Sequence, residues 1–236
     1  MKSKVRNFFI NLFVSLYFPI ASRTFKNPIR YLEFSEIRKS AEFIANHLHT
    51  ASLFDTKKGG IWEYVMGITK ENSLRGMWLE FGVRDGYSAR FFSKHALKLS
   101  SNQKLFGFDS FTGIRDNWSS IGEPVGSFSR FGIEPPKIDG CVFIKGWVEE
   151  TLINFLESNE EPVAFVHFDL DVYAPTKYTL KMLKDRLQKG SIILFDEFHG
   201  YPGWELNEKR ALEEVLDFSS YQYIAFSRKQ AAIQII

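Results

Sequence analysis

The sequence predicts an open α/β sheet, mostly parallel, preceded by a helical extension. Three observations carry that reading. From Met77 onward, short apolar runs alternate with segments of helical periodicity, the pattern of parallel strands joined by crossover helices. Two of these runs, Ala164-Phe-Val-His-Phe-Asp169-Leu-Asp171 and Ser191-Ile-Ile-Leu-Phe-Asp196-Glu197, are continuously apolar and end in acid. Strands buried on both faces read this way. The last two runs, 221–226 and 231–236, are separated only by residues 227–230, a hairpin spacing that makes this pair antiparallel.

The elements follow in order. Residues 1–75 read as a helical extension and 76–236 as the sheet domain. Lys2, Lys4 and Arg6 precede an apolar stretch to Ala21, in which Asn7, Asn11 and Ser15 recur every four residues. That stripe favours a docked or dimer-interface amphipathic helix over a membrane-surface helix or a cleaved signal. The run is too short to span a bilayer before Pro19. Ser35 is placed to cap a helix with Ile37, Ala41, Ile44, Ala45 and Leu48 on one face. Lys57-Lys-Gly-Gly60 breaks the chain, and a short helix resumes over 61–68. Strands are expected at 77–81, 104–108, 142–145, 164–168, 192–195, 221–226 and 231–236. Helices are expected near 88–99, 148–158, 176–188 and 207–217. The connection 113–140 is rich in Gly, Pro and Ser and carries Trp118, Phe128 and Phe131. A loop of that length in a compact domain suits a lid over a site, the alternative being a surface excursion whose aromatics pack locally.

Composition removes several classes of function. With 30 basic and 28 acidic residues, a net charge of +2 leaves no electrostatic footprint for nucleic acid. The single cysteine, Cys141, excludes an internal disulfide and a cysteine-based zinc site, and suits a reducing, cytoplasmic compartment. Neither a Gly-x-Ser-x-Gly elbow nor a phosphate-binding P-loop occurs.

Ligands of open α/β sheets bind beyond the carboxyl ends of the strands. Asp169, Asp171, Asp196 and Glu197 stand at two such ends, where they need a cation, a proton or a substrate hydroxyl. A third end carries Glu80-Phe-Gly82-Val-Arg-Asp-Gly86-Tyr87-Ser88, a glycine turn into a helix that lets a ligand approach the backbone. Its spacing is not that of the dinucleotide fingerprint. The next strand ends in Asp109-Ser110, where a carboxylate can accept hydrogen bonds from ribose hydroxyls. Structural roles compete at each position. Gly86 can serve helix packing, Asp109 can cap the turn before Phe111, and Glu80 can pair with Arg84 or Arg90.

From about Trp62 onward the chain resembles the class I S-adenosylmethionine-dependent methyltransferases, and more narrowly the macrocin O-methyltransferase-like family. The carriers are the segments 79–88 and 108–113, Lys145-Gly-Trp147-Val-Glu-Glu-Thr-Leu152, His167-Phe-Asp-Leu-Asp-Val-Tyr-Ala-Pro-Thr-Lys177 and Phe195-Asp-Glu-Phe198. The resemblance implies a Rossmann-like sheet of seven strands with helices on both faces. It implies a cofactor cradle of Glu80, Gly82, Gly86, Tyr87 and Ser88, with Asp109 and Ser110 at the ribose and Trp147 near the adenine. It also implies Mg²⁺ held by Asp169, Asp196 and Glu197, with Asp171 as a helper.

The activity so implied is Mg²⁺-dependent O-methylation of a small sugar-like molecule. Binding a hydroxyl to the cation lowers its pKa, and positioning against the sulfonium methyl supplies much of the rate. Asp169 is the expected base and His199 its rival. Trp118, Phe128 and Phe131 suit a sugar ring or an apolar aglycone, whereas Arg115, Arg130 and Lys137 suit an anionic group. Two other classes compete: a non-catalytic cofactor-binding or membrane-associated protein acting through residues 1–21, and a nicotinamide-dependent oxidoreductase. A homodimer through the N-terminal helices is also expected.

Overall fold

The computed structural model describes residues 28–55, 59–118 and 120–236. The helix expected over 1–21 and the first half of the Lys57-Lys-Gly-Gly60 break lie outside the described residues, whereas Gly59 and Gly60, expected in that break, open a helix. The elements are α1 (Pro28–Ala45), β1 (Ser52–Leu53), α2 (Gly59–Asn72), β2 (Met77–Phe81), α3 (Tyr87–Leu99), β3 (Leu105–Asp109), β4 (Cys141–Lys145), α4 (Val148–Ser158), β5 (Val163–Phe168), α5 (Tyr173–Leu183), β6 (Leu187–Phe195), α6 (Glu208–Val215), β7 (Tyr221–Phe226) and β8 (Ala231–Ile235).

All strands join one sheet of eight, in the order β1-β7-β8-β6-β5-β2-β3-β4. Every pairing is parallel except those of β8, which runs antiparallel to both β6 and β7. The expected seven strands are all present, and the two-residue β1 adds an eighth along β7. Such a short strand leaves no alternation in the sequence to find. Strands β2 and β5 are buried at every residue, as their unbroken apolar runs require. One face of the sheet packs Leu79, Phe81, Phe168 and Phe195 against α4, α5 and α6. The other packs Trp78, Phe165 and Ile192 with Trp62 and Val65 of α2 and Phe92 of α3.

Two expectations are corrected. Ser35 caps nothing, because α1 already begins at Pro28, where a missing N–H and a fixed φ suit the first helical position. The face expected to be buried is largely open, with Ile37 57% and Leu48 47% exposed. Of that face Ile44 does dock, joined by Phe43 and by the buried polar residues Glu36 and Ser40. The helix expected over 176–188 ends at Leu183. Residues 184–186 tighten into a single 3₁₀ turn, and Leu187 opens β6.

Candidate active site

Four consecutive strands end on the same edge with the same local grammar. Phe108, Phe81, Phe168 and Phe195 are cross-strand neighbours in β3, β2, β5 and β6. Their rings stack in a row with centroids 4.9, 5.5 and 5.2 Å apart and planes tilted by 22, 26 and 17°. Each such pair contributes about 0.5–1.5 kcal/mol beyond burial. The next residue on each strand is Asp109, Gly82, Asp169 or Asp196. Ladder bonds continue past the phenylalanines, with Gly82 N–H donating to Phe108 O (2.9 Å), Asp169 N–H to Phe81 O (2.8 Å) and Asp196 N–H to Phe168 O (2.9 Å).

This edge floors a cleft of about 390 Å³, within the size range of ligand pockets. Gly82, Asp109, Ser110 and Trp147 line one side of it, and Asp169, Asp171, Asp196 and Glu197 the other. Gly82 is obligatory: its φ is +90°, and a Cβ there would lie 1.9 Å from the Asp169 carbonyl oxygen. Asp109 gathers three backbone donors. Its Oδ2 accepts from Val83 N–H (2.9 Å) and Arg84 N–H (2.7 Å), and its Oδ1 from Phe111 N–H (2.6 Å). The carboxylate therefore folds the glycine turn and the following turn around itself, including the cap on Phe111. Arg84, Phe111 and Asp171 hold φ values of 46, 58 and 65°, strained for non-glycine residues.

The long loop lies against this cleft. Ile114, Arg115, Trp118, Ile121 and Phe128 line it. Trp118 packs edge-on against Tyr201 at 5.4 Å, in a small core shared with Val172 and Trp204. Arg115 sits 5.2 Å over the Trp147 ring, and Arg84 at the same distance over Phe128. Arg130 pairs with Asp85 on the glycine turn, and Lys145 donates to Gly132 O at 2.6 Å.

The family model described as a methyltransferase domain matches residues 79–198, from the glycine-turn strand to the acid pair. The chain belongs to this family. Methyltransferases are also its neighbours among solved structures. The calicheamicin methyltransferase CalS11 is 26% identical with a TM-score of 0.61, over 73% of this chain and 76% of that one. The apo form of CalS11, described as a TDP-rhamnose 3′-O-methyltransferase, gives 25% and 0.55 over 75% and 80%. The O-methyltransferase NovP, at 19% and 0.58 over 74% and 78%, supports the fold. No curated protein matches the chain. The protein is thus a class I S-adenosylmethionine-dependent O-methyltransferase, as its sequence motifs implied.

The remaining site residues of the methyltransferase fall outside the cleft lining. Glu80 is fully buried and its Oε1 pairs with His167 Nδ1 at 2.9 Å, not with Arg84 or Arg90. Burial works against a charged His167 ring, but the Asp196 and Glu80 carboxylates outweigh it and lift the imidazole to about 9. Gly86 closes the turn in the left-handed region, where a Cβ would press within 2.7 Å of Ile138. Tyr87 is exposed and Ser88 buried at the start of α3. His199 is buried. Its Nδ1 lies 2.7 Å from Ser40 Oγ and its Nε2 3.2 Å from the Gln230 carbonyl, so Nε2–H donates and Nδ1 accepts. Burial pushes this ring down to about 4.

Three participants escaped the sequence reading. Lys229 Nζ lies 3.0 Å from Glu197 Oε2, and Gln230 Nε2 donates to Asp196 Oδ1. Both come from the 227–230 hairpin, which the sequence marks only as a turn. Glu208, at the start of α6, is fully buried. Its Oε2 accepts from Glu197 N–H (3.2 Å), and its Oε1 has no hydrogen-bond partner. Burial, reinforced by Asp171, Asp169, Asp196 and Glu197, pushes its carboxyl well above the usual range. The all-oxygen donor set is the kind hard cations take, and so crowded a negative site favours one. Among the described residues, however, no three His, Cys, Asp or Glu side chains converge closely enough to hold a metal ion. No helix among them is long and apolar enough to cross a membrane.

Proposed function

We propose that this methyltransferase transfers the S-adenosylmethionine methyl group to a hydroxyl of a sugar or sugar-bearing small molecule, and that Asp169, Asp196 and Glu197, which do not converge on a metal position as they stand, are the oxygen donors that would have to draw together on a Mg²⁺. One observation carries the reading: a single cleft is lined by the glycine turn, Asp109 and Trp147 on one side and by the strand-end acids on the other. The names of the neighbouring enzymes, TDP-rhamnose 3′-O-methyltransferase among them, support a sugar hydroxyl as acceptor.

In this reading the turn at Gly82 receives the methionine part of the cofactor. The outer lone pairs of Asp109, with Ser110, take the ribose hydroxyls, and Trp147 meets the adenine. The acids orient the acceptor, and Asp169, one strand away from Gly82, accepts the hydroxyl proton. The acceptor oxygen then displaces S-adenosylhomocysteine in line, and positioning supplies much of the rate. A bound cation would supply the positive charge that lowers the hydroxyl pKa. Asp169 is the preferred base because both His199 nitrogens are occupied away from the cleft. In this reading the helical extension is part of the same unit as the sheet domain, which is supported from residue 28 onward by β1 joining the sheet and by Ile61, Trp62 and Val65 of α2 in its core. A cytoplasmic location, and association of copies or contact with a membrane surface through residues 1–21, rest on the sequence alone.

A metal-free variant of the mechanism has one observation in its favour: Lys229 already brings an ammonium to Glu197. Formation of S-adenosylhomocysteine with TDP-rhamnose as a first acceptor, measured with excess EDTA and again after adding Mg²⁺, separates the two. Loss and restoration of turnover supports the cation. Full turnover in EDTA, abolished in Lys229→Met, replaces it with the lysine.

A further inference from the structure

His167 occupies the centre of the sheet between two acids and touches no part of the cleft. It lies on β5, whose neighbours are β2 and β6, and it is fully buried, as is Glu80. Its Nδ1 meets Glu80 Oε1 at 2.9 Å and its Nε2 faces Asp196 Oδ1 at 3.9 Å. Trp62 and Phe92 enclose the ring at 5.9 and 4.9 Å. A buried line of ionisable groups is a poor way to stabilise a core, because well-packed apolar side chains of similar volume generally do at least as well. Its position points to another task. Glu80 lies two residues before Gly82, and Asp196 belongs to the acid pair.

We infer that His167 is a positioning residue for methyl transfer, orienting the Asp196 carboxylate from the strand that carries the glycine turn. The inference rests on the acceptor reading of Asp196 given above. Asp196 Oδ1 is gripped from the hairpin side by Gln230 and faces His167 from the sheet side. The Gln230 hydrogen bond holds this oxygen, and the imidazole, which makes no hydrogen bond through Nε2 but faces the same oxygen at ion-pair distance, draws it toward the sheet, so that together they bias the direction in which the group presents itself to the cleft. The line Glu80–His167–Asp196 runs across three adjacent strands, so the turn and the acid pair keep one relative placement.

The two ring nitrogens can be tested separately. The amide of His167→Asn falls near Nδ1 and keeps Glu80, whereas that of His167→Gln reaches toward Nε2 and keeps Asp196. Loss of such supporting contacts typically costs ~10–100-fold in activity. The expected result is that His167→Asn binds S-adenosylhomocysteine in calorimetry as the wild type does and loses ~10–100-fold in kcat. His167→Gln should recover most of that loss. Equal kcat in both variants, with only a lowered melting temperature, would overturn the inference by making the triad structural. If His167→Asn does not fold, His167→Gln and Gln230→Leu decide instead. Wild-type kcat in Gln230→Leu together with a deep kcat loss in folded His167→Gln overturns it, and the reverse supports it. Asp196→Asn serves as the control, since full activity there refutes the acceptor reading itself.

Discussion

The Gly82–Asp109 side of the cleft is folded by backbone amides converging on one carboxylate, whereas the acid side is a crowd of carboxylates steadied by side chains from distant elements. On the first side, three N–H groups within two residues of a turn satisfy Asp109, and everything needed is local to two adjacent strands. On the second, Asp196 and Glu197 draw partners from the 227–230 hairpin and from α6. The contrast teaches that the side proposed to take the cofactor can be built from backbone, while a concentrated negative charge must recruit its restraints from across the fold.

The comparison breaks most visibly at Asp169. Asp169→Ala should lower kcat by about 10³-fold, in the middle of the range a general base supplies. Calorimetric binding of S-adenosylhomocysteine should be nearly unchanged, because that side does not depend on the acids. Gly82→Ala strikes the one point where the sides touch. Its Cβ meets the Asp169 carbonyl at 1.9 Å and φ is +90°, so overpacking and backbone strain together should cost about 3 kcal/mol. Urea unfolding would register this, alongside loss of cofactor binding.

Acid pH should loosen the second side first. The His199 ring has a folded pKa near 4 against 6.5 when free. The unfolded state therefore binds the extra proton between these values, and stability falls as pH drops through that window. From pH 7 to 5 the loss should be about 2 kcal/mol, and His199→Asn should flatten that dependence in paired denaturation curves. Asp109→Asn replaces an acceptor of three N–H groups by an amide that can satisfy only some of them. Cofactor affinity should fall about 10-fold, roughly the value of one charge-assisted hydrogen bond, with kcat little changed at saturation. The smallest effect should come from Arg130→Ala. Its exposed ion pair with Asp85 contributes less than about 1 kcal/mol, and the Michaelis constants should rise only a few-fold.

Legibility in the sequence followed the same division. Strands β2 and β7 and helix α4 fell on their expected boundaries because apolar runs and helical spacing report burial directly. The acid-tipped ends of β5 and β6 were equally plain, since Phe-Asp recurs at 108–109, 168–169 and 195–196. That same repeat was the available signal for the stacked ring row. Lys229, Gln230 and Glu208 gave no such signal. A Lys-Gln pair in a hairpin and a Glu at a helix start are ordinary surface chemistry until the fold buries them. The pairing of Glu80 with His167 was hidden for the opposite reason. Both occupy a cofactor-like motif or its neighbour, yet alternation along each strand turns them into the core, toward one another. The apolar face expected on α1 failed because helical spacing alone does not say whether anything covers a helix.

The row of four stacked phenylalanines acts as a ruler. Neighbouring strands lie about 4.8 Å apart, and the rings lock β3, β2, β5 and β6 into that spacing just beneath the residues that face the cleft. The turn at Gly82 and the acid at Asp169 are thus separated by one graduation, and Asp196 by two. Distances between the two sides are set by sheet geometry rather than by loops. Change in what the enzyme accepts must then come from the 113–140 loop and the hairpin above the floor, with the gap between the two sides left untouched.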